Sequence, residues 1–109
     1  EDNFSLLKNT LLLQIEYKNY EGASKLSNSA LEIFPAQALI YLLNGVANNG
    51  LQKSDLAIES LEMGIDYLLD DKKMEKAFYE QLSIAYRING DTQNANLFEK
   101  KALDLKDPN

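Results

Sequence analysis

The chain has 109 residues, a length that fits one domain able to bury its own core without a disulfide or a metal. Its hydrophobic content of 45% and charged content of 26% indicate a folded chain rather than a disordered one. A net charge of −6, with Arg87 as the single arginine, disfavours nucleic acids and anionic membrane surfaces as partners, and no apolar run is long enough for membrane insertion.

The first third of the chain contains two segments with helical periodicity. Residues 3–17 are rich in leucine at positions that share a broad helical face, and Asn3 or Ser5 is the predicted N-cap. A second helix is predicted over residues 20–34, with Asn19 as its cap and the following proline as its stop. The turn between the two is short, so we expect them to pack as neighbours.

Four more amphipathic segments follow at similar intervals. A third helix is predicted over residues 37–49, and a fourth begins after the predicted cap Ser54 and carries an apolar stripe to residue 69. The fifth and sixth helices are predicted over 74–89 and 92–105, on either side of an Asn-Gly-Asp turn. Six helices joined by short turns predict three helical hairpins.

Small residues recur at a regular interval along these hairpins. An alanine lies near the start of each second helix, with separations of 34 and 38 residues, and another small residue follows seven positions later each time. Small side chains at such positions allow two helices to approach closely, so they predict where the hairpins cross. These residues are Ala23, Ala57, Ala95, Ala30, Gly64 and Ala102.

The second interval is four residues longer than the first, and the insertion can be located. Tyr41 and Tyr79 open the first helices of the second and third hairpins and are also 38 residues apart. The surplus therefore falls between residues 65 and 73. Because four residues are about one helical turn, we predict a fourth helix that is one turn long and exceeds the second in length.

The best-defined stretch of the pattern is aromatic-x2-Leu-small-x2-Tyr, followed by a glycine turn and two alanines seven residues apart. It is formed by Tyr79, Leu82, Ser83, Tyr86, Gly90, Ala95 and Ala102. This combination resembles the tetratricopeptide (TPR) repeat. The second hairpin keeps Tyr41 and Gly45 but has Asn44 and Asn48 where the family has leucine and tyrosine, and the first hairpin matches mainly through its second helix.

The resemblance implies an all-α fold, a right-handed α-α superhelix of three stacked antiparallel helical hairpins. It covers nearly the whole chain as a single TPR-like domain over residues 1–109, with repeats at about 4–34, 39–69 and 78–105. The chain ends in Asp-Pro-Asn, a turn that in the family leads into another hairpin. We therefore expect the parent protein to be longer.

The same resemblance implies a concave groove, lined by the first helix of each hairpin, that holds a peptide or a helix of another protein. Its centre is aliphatic, so the expected partner is an apolar protein segment. The alternative is that Leu39, Leu42 and Val46 pack against neighbouring repeats instead. By the repeat register the groove residues are Lys8, Asn9, Leu12, Leu39, Leu42, Leu43, Val46, Glu80, Gln81, Ile84 and Arg87.

Other functions are weighed against this one. A subgroup of the family clamps the carboxylate end of chaperone tails, but only Lys8 fits that clamp, and Leu12, Leu43, Ala77 and Gln81 at the other positions cannot hold a carboxylate. A structural segment of a longer solenoid with no ligand of its own is one alternative. Self-association into a homo-oligomer through exposed ends of the array is another.

Catalysis is the least supported class. The sequence has no histidine and no cysteine, which excludes Ser-His and Cys-His nucleophiles and the usual zinc sites. It has no glycine-rich phosphate-binding motif. The pair Asp70–Asp71 has the ligand chemistry for Mg²⁺ or Ca²⁺, but a solvated connector between helices is the favoured interpretation. We predict no cofactor, no metal and no enzymatic activity.

Overall fold

Six α-helices and no β-strand make up residues 2–105, the part of the chain that the structure, a computed structural model, describes. The predicted all-α class and the number of helices are therefore confirmed. The helices are α1 (Asn3–Glu16), α2 (Tyr20–Ile33), α3 (Ala38–Gly50), α4 (Ser54–Ile65), α5 (Lys72–Ile88) and α6 (Thr92–Asp104).

Side-chain caps fix where several helices begin. The Asn19 side chain accepts a hydrogen bond from the Gly22 amide at 3.1 Å, which confirms the predicted cap of α2. The cap of α1 is Asp2, whose carboxylate accepts from the Ser5 amide at 2.7 Å. The prediction of Asn3 or Ser5 for this role was wrong, because a carboxylate one residue earlier satisfies the free amide and complements the positive helix terminus.

The predicted cap of α4 was also wrong. Ser54 is the first residue of the helix, and the residue before it, Lys53, makes no side-chain capping bond. The Ser54 hydroxyl instead lies 3.3 Å from the Asn89 side-chain oxygen, at the end of α5. Its hydrogen bond therefore joins two hairpins rather than closing one helix.

The helices lie in two layers. The first helices of the three hairpins form a row in which α1 contacts α3 and α3 contacts α5. Of the second helices, α2 packs against both α1 and α3, and α4 packs against both α3 and α5. No contact joins α2 to α4 or α4 to α6. The row α1–α3–α5 is thus continuous, and the second helices are separated from one another.

Contacts within each hairpin show that its two helices are antiparallel. In the second hairpin, Tyr41 faces Gly64 while Gly45, one turn later in α3, faces Leu61, almost one turn earlier in α4. In the first hairpin the Phe4 and Phe34 rings meet edge to face at 5.3 Å, far from the turn that joins α1 to α2. Between hairpins, Asn44 in α3 bonds to Ser27 in α2 while Asn48, one turn later, faces Ser24. In the same way, Gly64 in α4 lies near Phe78 in the first half of α5, while Ser54 faces Asn89 at its end. Consecutive helices are therefore antiparallel across the hairpins too, and α1, α3 and α5 are parallel to one another.

The core consists of two clusters that share α3. One contains side chains of α1, α2 and α3, among them Leu11, Ala23 and Ile40, and the other contains side chains of α3, α4 and α5. Because α3 is covered on both sides, nine of its 13 residues are buried. Phe78, in α5, is the largest fully buried side chain and fills the second cluster.

The four inserted residues do not lengthen the fourth helix. The helix α4 has 12 residues and α2 has 14, so the prediction of a longer fourth helix was wrong. The helix stops at Ile65 because the amides of Tyr67 and Leu68 bond to carbonyls three residues back, and Asp71 then caps α5 by accepting from the Met74 amide at 3.0 Å. The helix α5 instead begins four residues before the position equivalent to the start of α3 and has 17 residues against 13, so the insertion adds one turn to the N-terminus of α5. The connector between α4 and α5 is residues 66–71.

Candidate functional site

An aliphatic row crosses the layer of first helices. Leu12, Val46 and Ile84 are separated by 34 and 38 residues, the same intervals as the repeated alanines, so they take equivalent positions on α1, α3 and α5. Leu12 is 43% exposed and Ile84 is 45% exposed, and Val46 between them is half-buried. All three belong to the predicted groove. They give the layer an apolar surface that runs across the helix axes.

A cleft of about 660 Å³ opens toward the N-terminal ends of the same three helices. Lys8 from α1 and Leu39 from α3, two of the predicted groove residues, both line it. Phe4, Leu68 and Met74 add apolar surface. A cleft of this size that is mainly apolar, with few charges at its edge, has the composition usual for binding sites.

The connector 66–71 forms one wall of the cleft, and sequence analysis missed its role by assigning most of it to a helix. Its Tyr67 ring stacks on Tyr41 with centroids 5.6 Å apart and planes 10° from parallel. The Tyr41 hydroxyl donates to the Pro35 carbonyl at 2.8 Å, and burial, together with the neighbouring Tyr67 hydroxyl, raises the pKa of Tyr41. The apolar residues through position 69 continue the pattern of α4, so no local signal in the sequence indicated this wall.

Two predicted groove residues lie inside the protein. Leu42 is 8% exposed and belongs to the core cluster of α3, α4 and α5, and Leu43 is 6% exposed and belongs to the cluster of α1, α2 and α3. They pack against neighbouring helices, which is the arrangement given above as the alternative for Leu42. A binding role for Leu42 or Leu43 stays a prediction, because neither side chain has much exposed surface for a partner to contact.

The polar groove residues have mixed surroundings. Gln81 reaches from α5 to α3, where its side-chain oxygen accepts a hydrogen bond from the side-chain amide of Asn49 at 2.9 Å. Asn9 and Glu80 are exposed. Arg87 is turned toward α6, where it donates to Glu99 at 2.9 Å. Gln81 therefore belongs to the surface that α3 and α5 share, whereas Arg87 stabilises its own hairpin.

A buried polar network lies between α2 and α3, and sequence analysis noted its members only as departures from the repeat pattern. Asn44 donates to the Ser27 hydroxyl at 2.8 Å and to the Asn28 side chain at 3.0 Å. Asn48 donates to the Asn44 side-chain oxygen at 3.0 Å and faces the Ser24 hydroxyl. Serines at matching positions of α2 were the signal that these asparagines are paired inside the protein.

The acidic connector shows no metal-binding arrangement within the described residues. Asp71 is committed to capping α5, and no group of three acidic side chains in residues 2–105 is placed to hold an ion. Over the same residues, no helix has both the length and the apolar composition needed to cross a membrane. The aliphatic row and the adjoining cleft are therefore the candidate site.

Comparison with known proteins found no relative of this chain. No protein-family model matches the chain, and neither the curated proteins nor the solved structures contain a match.

Proposed function

We propose that this chain is a TPR-type array that binds an apolar segment of another protein, and that it is not an enzyme. In this proposal the three hairpins are successive repeats of a right-handed superhelix, and the layer α1–α3–α5 is its concave side. The continuous first-helix row and the separated second helices support it, because such a layer curves when its second helices splay apart.

The observation that carries the proposal is the aliphatic row Leu12–Val46–Ile84. Two of its three side chains, Leu12 and Ile84, keep more than two-fifths of their surface exposed at equivalent positions of α1 and α5. A contiguous apolar surface is typical of sites that bind helices or peptides. The adjoining cleft provides space for one or two bulky side chains of the partner.

The charge distribution favours a protein partner over a nucleic acid. The chain carries a net charge of −6, and its single arginine is paired with Glu99. Neutralising phosphates requires several free cationic side chains on one surface. Among the described residues, Lys8 is the one cation that lines the cleft, alongside the carboxylates of Asp66 and Asp71, and it suits a carboxylate or a carbonyl oxygen of the partner.

The test compares two substitutions at matched exposure. Ile84→Asp changes the aliphatic row at 45% exposure, and Leu97→Asp changes α6 at 46% exposure. Peptides are selected by display on the immobilised wild-type protein, and their dissociation constants for each variant are measured by fluorescence polarisation. Leu42→Asp is unsuitable, because a carboxylate at a position 8% exposed disrupts the core.

We expect the selected peptides to be rich in aliphatic residues. Burying an Ile side chain contributes ~1.5–3 kcal/mol, so Ile84→Asp should weaken binding by roughly tenfold to a hundredfold. Leu97→Asp should leave the dissociation constant unchanged. Equal losses in the two variants, or a selection that returns no binding peptide, would contradict the proposal.

A further inference from the structure

Asparagine precedes glycine at three places in the chain, residues 44–45, 49–50 and 89–90. In this dipeptide the side-chain amide of asparagine is open to attack by the next backbone nitrogen, because glycine has no side chain to obstruct the approach. The attack also needs a backbone that can rotate and an asparagine side chain that can turn toward it. The surroundings of the three asparagines therefore decide which of them reacts.

Two of the three dipeptides are held inside α3. Asn44 and Asn49 are 4% and 5% exposed. The side-chain nitrogen of Asn49 donates twice to Gln81, at 3.0 and 2.9 Å, and that of Asn44 donates into the polar network with α2. The glycines that follow them both belong to the helix, so the backbone at these positions is fixed by its hydrogen bonds. Neither asparagine reacts unless α3 opens.

The third dipeptide lies in the turn between α5 and α6. Asn89 is exposed and follows the last residue of α5, and Gly90 has a φ of 80°. The Gly90 amide donates to the Arg87 carbonyl at 3.1 Å, and the Asp91 amide donates to the Tyr86 carbonyl at 2.9 Å, as in a Schellman motif. These two bonds at a helix end hold the turn, so it opens without disturbing the core.

A hydroxyl group also contacts the Asn89 side chain. Ser54, the first residue of α4, donates to the Asn89 side-chain oxygen at 3.3 Å. Such a donor withdraws electrons from the carbonyl carbon and stabilises the negative oxygen that forms when a nucleophile attacks it. The side-chain oxygen of Asn49, by contrast, accepts no hydrogen bond from any described residue.

We propose that Asn89 is a site of spontaneous deamidation, with water as the only co-reactant. The Gly90 backbone nitrogen loses its proton to solvent and attacks the side-chain carbonyl carbon of Asn89. A carbon–nitrogen bond forms there, and the bond to the side-chain nitrogen breaks, so that this nitrogen leaves as ammonia with a proton from water. A second water molecule then opens the succinimide ring. Opening at the side-chain carbonyl gives aspartate, and opening at the main-chain carbonyl gives isoaspartate.

Both products change the turn between α5 and α6. Each adds a carboxylate at the carboxyl end of α5, where the helix dipole is negative, in a chain whose net charge is already −6. Isoaspartate also inserts a methylene group into the backbone before Gly90, so the two bonds of the turn cannot both keep their geometry. Asp91, which caps α6 by accepting from the Asn94 amide at 3.1 Å, is displaced with them. The modification therefore loosens the third hairpin.

The experiment follows the intact chain over time in mildly alkaline buffer, both folded and in guanidinium chloride. Peptide mapping by mass spectrometry measures the deamidated fraction at each dipeptide. In the denaturant the three asparagines should react at similar rates, because their chemistry is the same. In the folded chain Asn89 should react roughly tenfold or more faster than Asn44 and Asn49. A folded chain in which Asn89 reacts no faster than the two asparagines of α3 would overturn the proposal.

Variants at residue 54 test the contribution of the hydroxyl group. Ser54→Ala should slow the reaction at Asn89, and Ser54→Thr, which keeps a hydroxyl, should react at nearly the wild-type rate. A rate that is unchanged or higher in Ser54→Ala would contradict the role assigned to Ser54.

The stability of the modified protein tests the effect on the hairpin. The isoaspartate form is isolated by anion exchange and peptide mapping, and its Tm is compared with that of Asn89→Asp, which carries the same charge on an unaltered backbone. The isoaspartate form should melt several degrees below Asn89→Asp, because it alone loses the geometry of the turn and of the α6 cap. Equal Tm values would refute the loosening of the third hairpin.

Discussion

Replacing Gly64 by alanine tests the crossing of α3 and α4 directly. Gly64 lies in α4 and is buried, and a Cβ added there would collide with the Tyr41 Cβ and come within 3.0 Å of the Phe78 ring. No change of rotamer can move the Tyr41 Cβ, because the α3 backbone sets its position, and the ring is also held by Tyr67 and by the hydroxyl bond to the Pro35 carbonyl. Relief therefore requires the two helices to separate.

Two opposing effects determine how much Gly64→Ala changes the free energy of unfolding. Alanine is favoured over glycine inside a helix by ~1 kcal/mol. Overpacking a well-filled core costs ~1–3 kcal/mol, and the upper end applies here because the clashing atom is attached to the partner backbone. We expect Gly64→Ala to lower the free energy of unfolding by about 2 kcal/mol, equivalent to a loss of roughly 10 °C in Tm.

Gly45→Ala is the matched control, since it adds the same atom to the other helix of the same crossing. Its Cβ would lie 2.5 Å from the Leu61 side chain, which can change rotamer, so the expected loss is smaller. Urea denaturation followed by circular dichroism gives both free energies. A Gly64→Ala variant as stable as wild type, or less affected than Gly45→Ala, would refute the assignment of this crossing.

Two further predictions concern the packing and the titration of buried residues. Ala102 is 3% exposed, and Ala102→Leu should destabilise the protein by ~1–3 kcal/mol through overpacking in the third hairpin. Urea denaturation measures this loss. An unchanged free energy of unfolding would mean that α5 and α6 do not cross at Ala102. Because burial raises the pKa of Tyr41 above its ordinary value of 10.0, its contribution to stability should be complete well below pH 10 and be lost as the pH rises past 10.0 and through the folded pKa. Thermal melts of wild type and Tyr41→Phe across this range check the sign, since the variant should lose part of the alkaline decline.

The helices and their number follow from the sequence because hydrophobic periodicity is a local property. Each helix carries its own apolar stripe. Asn19 and Pro35 mark the two ends of α2 without reference to any other part of the chain. The close crossing at Gly64 was also predictable, because a repeated interval of small residues records a constraint that every hairpin shares. The same register included Leu12, Val46 and Ile84 among the groove residues, although the aliphatic centre was predicted at Leu39, Leu42 and Val46.

The connector and the buried groove residues could be decided only by the tertiary structure. Residues 66–69 carry a helix-like apolar pattern, but α4 ends at Ile65 and the Tyr67 ring stacks on Tyr41, a residue distant in sequence. Leu12 and Leu42 are the same residue type and were both predicted to line the groove. Leu12 is 43% exposed and Leu42 is 8% exposed, because α3 has a helix on each side and α1 does not. Local pattern determines which residues are apolar, whereas the number of neighbouring helices determines which of them remain available for binding.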